Sequence, residues 1–187
     1  MLRTLDRPGQ ELVEKAQEVA ARAYAPYSRF AVGAAVRSKS GAIYAAANLE
    51  NASSGLTICA EAAALSLANS AGDPDIDAIA VVGFNFADGA AGASRVVAPC
   101  GSCRQVIAEA AQRASGNVRV ICCNGELSSI TVWTIAELLP NAFGPENLAV
   151  NRQWPALQEE LRACVRRLIA IRKSATAGCL PVDPQWL

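Results

Sequence analysis

Ile79–Phe84 reads Ile-Ala-Val-Val-Gly-Phe, a run with no polar residue on either alternating side. A strand of this kind needs cover on both faces, so it predicts a sheet held between helices rather than one with a wet side. The flanking sequence supplies the helices. Pro8 to about Ala23 carries Leu12, Val13, Ala16, Val19 and Ala20 at helical spacing. Thr57–Ser70 is rich in Ala and Leu and stops at Gly72, and Gly101–Ala114 ends before Gly116. Further strands are expected at Phe30–Arg37, Ala42–Leu49, Val118–Cys122 and Ile130–Trp133, with Ser38-Lys39-Ser40-Gly41 joining the first two as a hairpin. Asp88–Ser94, crowded with Gly and Ala, reads as a loop. Strands alternating with helices after an opening hairpin predict an α/β fold, a three-layer αβα sandwich around a mixed five-stranded sheet.

The C-terminal part has a different character. Pro155–Lys173 places Leu157, Leu161, Val165, Leu168 and Ile169 on one side of a helix and Arg162, Arg166, Arg167, Arg172 and Lys173 elsewhere, against Glu159 and Glu160. A basic helix can grip nucleic acid or a membrane. The plainer reading is a solvated face on a helix packed against the body or a neighbouring subunit. Trp154 and Trp186 in this region suit a pocket cover or an interface. The expected organisation is a main domain over 1–148 and a helical extension over 149–187.

Composition narrows the chemistry. The chain contains no histidine, which excludes a Ser-His-Asp or Cys-His catalytic unit and any imidazole metal ligand. Seventeen basic residues balance seventeen acidic ones, giving no general pull towards nucleic acid or an anionic membrane. Apolar runs are short and broken, so no membrane span is expected. Met1–Glu11 mixes Arg3, Asp6 and Arg7 among its apolar residues and does not read as a signal-peptide core. Seven cysteines, an odd number without such a signal, point to free or metal-bound thiols in a reducing, cytoplasmic setting.

Two segments concentrate reactive side chains. Thr57-Ile58-Cys59-Ala60-Glu61 opens one predicted helix, and Ala98-Pro99-Cys100-Gly101-Ser102-Cys103-Arg104 opens another. A ligand-x-Glu segment followed by Pro-Cys-x-x-Cys is the zinc deaminase pattern, in its three-cysteine form. Cysteines three apart in a first helical turn can reach one metal, and the helix dipole favours their thiolates. Three thiolates fill three corners of a tetrahedron; an open fourth corner separates a catalytic zinc from a structural one. Glu61 is then free to carry a proton. The alternatives are a redox pair, a buried thiol at Cys59, or a closed structural site using Cys122, Cys123, Cys164 or Cys179. The two motifs together favour the catalytic arrangement.

From about Ala25 to Leu148 the chain resembles the small zinc-dependent cytidine deaminases of pyrimidine salvage. Besides the two cysteine motifs with Arg104 and Gln105, Tyr27-Ser28-Arg29-Phe30-Ala31-Val32-Gly33-Ala34-Ala35 looks like that family's first strand. Asn48-Leu49-Glu50-Asn51-Ala52 looks like its ribose-binding segment, and Leu138-Leu139-Pro140 with Phe143-Gly144-Pro145 looks like its C-terminal signature. The resemblance implies one zinc per chain on Cys59, Cys100 and Cys103, with Glu61 moving protons during hydrolytic deamination of cytidine or deoxycytidine. It implies that Phe30 stacks on the pyrimidine, Asn48 and Glu50 bind ribose hydroxyls, and Ala60 with Glu61 reads the base edge. It also implies a homotetramer with Phe143 completing a neighbour's pocket, 1–148 being the catalytic domain.

Three features depart from that pattern. Ala62 stands where relatives with three cysteine ligands often carry an Arg that offsets the thiolate charge. Ser54 replaces a common aromatic, and the chain continues well past Gly144-Pro145. Small residues at 54 and 62 keep open a modified 4-aminopyrimidine nucleoside, 5-substituted or blasticidin-like, as substrate. Two further readings are a binding module with structural zinc and a deaminase that edits nucleic acid through the basic helix; balanced charge weighs against the latter.

Overall fold

The computed structural model describes residues 2–87, 93–114 and 116–176. Cys179 and Trp186 lie outside them, as does most of the predicted Asp88–Ser94 loop. The chain divides into two compact units, Met1–Pro145 and Glu146–Leu187.

In the first unit, helix α1 (Arg7–Ala20) buries Leu12, Val13, Ala16, Val19 and Ala20, the predicted stripe. It stops before Ala23 because the following backbone is drawn into extended pairing. The Tyr24 N–H donates to the Asn48 carbonyl at 3.0 Å, and the Glu50 N–H donates back to Tyr24 at 2.8 Å. Strands β1 (Phe30–Ser38) and β2 (Ile43–Ala47) form the hairpin, turned at Gly41 with φ 94°, a value that favours glycine. Helix α2 (Ala60–Ser70), strand β3 (Ile76–Asn85), helix α3 (Gly101–Arg113), strand β4 (Arg119–Asn124) and strand β5 (Ile130–Thr134) follow. The strands form one five-stranded sheet in the order β2-β1-β3-β4-β5. Only β3 and β4 run parallel, the pair whose crossover is α3.

Alternation along the strands builds two cores. Val36, Val81, Val120 and Cys122 pack with Ala64 of α2 and Ile107 of α3 on one face. Ala35, Ala80, Val82, Ile121 and Cys123 pack against Leu12, Val13 and Ala16 of α1 on the other. This is the expected three-layer arrangement, and it explains why β3 has no polar face. The α1 layer sits very close to the sheet. A Cβ at Gly33 would overlap the Ala16 carbonyl oxygen and come within 2.8 Å of the Ala20 nitrogen.

One element escapes hydrophobic periodicity, because a single turn has no period. Helix α4 (Ile135–Leu138) follows β5 directly and is opened by a capping box between Thr134 and Glu137, a signature present in the sequence. In the second unit, α5 (Val150–Thr176) begins before Pro155, which lies inside it. The amphipathic pattern is read from Pro155 because proline is disfavoured in a helix interior, whereas the helix extends five residues ahead of it.

Candidate active site

Two helix starts converge on one face of the sheet. Cys59 is the N-cap residue of α2 and Cys100 that of α3, while Cys103 stands in the first turn of α3. Their three Sγ atoms all lie within 4.8 Å of one another, and among the described residues no other Cys, Asp or Glu joins the group. The segments leading into both helices are tied down. Leu49 and Ile58 exchange backbone hydrogen bonds of 3.0 and 2.9 Å, and the Val97 N–H donates to the Cys123 carbonyl at 3.3 Å. Arg104 braces the second entry, its Nε donating to the Pro99 carbonyl at 2.9 Å and its Nη1 to that of Leu138 at 3.2 Å.

A cavity of about 190 Å³ opens in front of the sulfurs. Of the residues singled out in the sequence, Asn48, Cys59, Ala60, Glu61 and Cys100 line it, and Cys103 is buried beside it. Val32, Thr57, Val97 and Ala98 also line it. The sequence signal for three of them is position: Thr57 precedes Cys59 by two residues and Ala98 precedes Cys100 by two, with Val97 adjoining. Val32 follows Phe30 by two, so both side chains lie on the same face of β1.

Phe30, Glu50 and Phe143 are not part of this lining. The Phe30 ring packs near Val97, within 3.1 Å of where a Gly83 Cβ would stand. The Glu50 carboxylate accepts from the backbone N–H groups of Tyr27 at 2.9 Å and Ser28 at 3.3 Å. The Ser28 hydroxyl, with those N–H groups, holds its pKa below the usual range despite some desolvation. Phe143 is 63% exposed, and its carbonyl accepts from Gln105 Nε2 at 2.7 Å. Asn48 grips β1 from the side, accepting from the Val32 N–H at 2.9 Å and donating to the Phe30 carbonyl at 3.1 Å. Its amide keeps one donor and one acceptor site beyond those bonds.

The electrostatics favour a cation at the sulfurs. Burial raises the pKa of the Cys59 thiol, and burial followed by the nearby Glu61 raises that of Cys103 strongly. Burial also works against ionisation of Cys100, but hydrogen bonds from the Cys103 backbone and the neighbouring thiols outweigh it and lower its pKa. Sulfurs that resist ionising together are brought into register by a metal that replaces their protons. Tetrahedral zinc with bonds of about 2.3 Å sets its sulfurs about 3.8 Å apart, inside the observed 4.8 Å limit. The donor set therefore fits zinc with one corner left for a non-protein ligand. Cys122 is fully buried in the sheet and stands outside the cluster. Burial pushes its thiol up to about 12.

Glu61, in the first turn of α2, is 5% exposed. Burial raises its carboxyl above the ordinary range, opposed by a backbone N–H and by Cys103. A buried carboxyl beside a metal site, facing a cavity, is a group suited to gaining and losing a proton during a reaction.

Residues 7–122 match the family described as "Cytidine and deoxycytidylate deaminase zinc-binding region". A cytidine deaminase of Halalkalibacterium halodurans is 46% identical over 139 residues, which span 74% of this chain and 96% of that protein. A blasticidin-S deaminase of Bacillus cereus is 38% identical over 130 residues, 70% of this chain and 88% of that one. The crystal structure of a cytidine deaminase from Burkholderia pseudomallei superposes with a TM-score of 0.63 at 38% identity, covering 74% of this chain and all of that one.

Proposed function

The chain belongs to the cytidine and deoxycytidylate deaminase zinc-binding family, and on that footing we propose that it hydrolyses the 4-amino group of cytidine and deoxycytidine, releasing ammonia and uridine or deoxyuridine. The observation that carries this reading is the three-sulfur cluster facing a cavity shared with a buried carboxyl.

Cys59, Cys100 and Cys103 would hold the zinc, which supplies Lewis-acid activation of water. Glu61 accepts the proton that water loses as its oxygen adds to C4 of the pyrimidine. It passes that proton to N3, then takes the second proton from the new C4 hydroxyl and gives it to the amino nitrogen, so that the C4–N bond breaks, the C4 carbonyl forms and ammonia leaves. One carboxyl serves as base and then acid, and its burial keeps bulk water from competing for the proton. The Ala60 backbone, at the start of α2 and lining the cavity, offers hydrogen bonds to the base edge. Val32 and Val97 give the ring an apolar slot. The cavity is smaller than the roughly 300 Å³ minimum of drug-sized pockets, which suits a single pyrimidine with its sugar directed outward towards Asn48.

The measurement is loss of ultraviolet absorbance on incubation with cytidine, deoxycytidine, 5-substituted cytidines and blasticidin S. Turnover of cytidine and deoxycytidine, abolished by a zinc chelator and restored by zinc, is expected. Activity untouched by chelation would overturn the zinc-dependent reading. The blasticidin-S deaminase relative and the small residues Ala62 and Ser54 support a second reading, a modified 4-aminopyrimidine nucleoside. Preference for those substrates over cytidine would establish it.

The same family resemblance supports a homotetramer acting in cytoplasmic pyrimidine salvage. The exposure of Phe143 is what a side chain that completes a neighbour's pocket requires. Sedimentation of the zinc-loaded enzyme should give a mass of four chains, and a monomer would reject the shared pocket.

A further inference from the structure

Along α5, Trp154, Leu157, Leu161, Cys164, Leu168 and Ile171 recur at alternating steps of three and four. That is an a/d heptad seam. Its apolar members are 40–64% exposed, and Cys164 is exposed as well. Val165 widens the seam on one side, and Ile169 lies outside it. We propose that α5 pairs in antiparallel orientation with the α5 of a second copy of this chain.

The register follows from the seam. Setting Trp154 opposite Ile171, Leu157 opposite Leu168 and Leu161 opposite Cys164 pairs all six, and Val150, the next seam position four before Trp154, falls opposite residue 175, still within the helix. A slip of one heptad sets Ile171 opposite Asn147 in one direction and carries Trp154 beyond Thr176, the helix end, in the other.

Charge selects the direction. Glu159 is occupied within its own helix by Arg166 at 2.7 Å and Arg162 at 4.0 Å. Glu160 and Arg167 form no ion pair among the described residues: those three and four positions from each are Ala, Cys, Leu or Ile, and the two do not bond across the seven-residue spacing that joins Glu159 to Arg166. Both occupy the g position beside the seam. In the antiparallel pair Glu160 of each helix lies across from Arg167 of the other, giving two complementary contacts. A parallel pair would instead set Arg167 at g against Arg172 at e, like against like.

The test uses the full chain with Cys164→Ser and Cys179→Ser, to which Leu157→Cys or Leu168→Cys is added. The two variants are produced singly and together and oxidised with diamide. In the antiparallel register positions 157 and 168 face each other. Two copies of position 157 stand about 16 Å apart along the axis, beyond disulfide reach. A disulfide-linked dimer joining 157 to 168 is expected when the variants are produced together, about tenfold above either alone. Glu160→Arg should slow its formation about tenfold, and Glu160→Arg with Arg167→Glu should restore it. Equal linkage within the Leu157→Cys protein alone marks a parallel pair and overturns the proposal. Linkage no greater in the mixture than in the single variants overturns it too, leaving the seam to the chain's own first unit or to another protein.

Discussion

Glu61→Gln should retain one zinc per chain while kcat on cytidine falls by about 10²- to 10⁴-fold, the range for loss of a positioned proton carrier. The amide keeps the shape of the side chain and its place in the first turn of α2 but cannot accept and return a proton. Zinc content should not change, because the sulfur cluster does not include Glu61. The stability of the metal-free variant carries a sign of its own. Burial raises this carboxyl in the folded state, so the folded chain binds more protons than the unfolded one between the two pKa values. Stability therefore falls as pH rises through that window. Gln removes the cost, and the metal-free variant should unfold no earlier than metal-free wild type at neutral pH. Zinc assay, steady-state kinetics and thermal melts read the three quantities. Wild-type kcat in Glu61→Gln would eliminate Glu61 as the proton carrier.

The largest structural effect is expected at Gly33. Adding one methyl group there drives a Cβ into the Ala16 carbonyl and against the Ala20 nitrogen, both backbone atoms of α1. Neither can swing aside as a side-chain tip would, so α1 must lift from β1 or the strand must buckle. Overpacking of this kind costs about 3 kcal/mol or more. For a unit of this size that corresponds to a fall in Tm of roughly 6–12 °C. Gly55→Ala is the control, since a Cβ there meets nothing within 4 Å; its Tm should stay within about 2 °C. Equal melting of the two variants would show that the α1–β1 contact relaxes freely.

The two sites differ in how much of them could be read in advance. The α2 and α3 starts were legible because each cysteine sits in a motif whose spacing matches a helical turn, and Glu61 follows Cys59 at a fixed offset. The strands were legible from their apolar runs, β3 above all. The end of α1 was not, because the chain just after its last predicted turn is held by a bridge between Tyr24 and Leu49, a partner far along the chain. Glu50 and Phe143 were named from resemblance alone. Within a single chain Glu50 braces the Tyr27–Ser28 turn, and Phe143 presents its ring to solvent.

Sequence alone determined the residue chemistry: no imidazole, three thiols and a carboxyl at helix starts, and strands too apolar for a wet face. These are local properties, carried by residue type and short spacing. Tertiary structure decided which thiols share a point in space. Cys122 is chemically equivalent to Cys103, yet it points into the packed core from β4. Tertiary structure also decided that Val32, Thr57, Val97 and Ala98 complete the cavity, and that a Cβ at position 33 would overlap the backbone of α1. The reason is physical: each of these depends on how closely one layer approaches another, a distance set by the packing of the whole unit and encoded in no single stretch of chain.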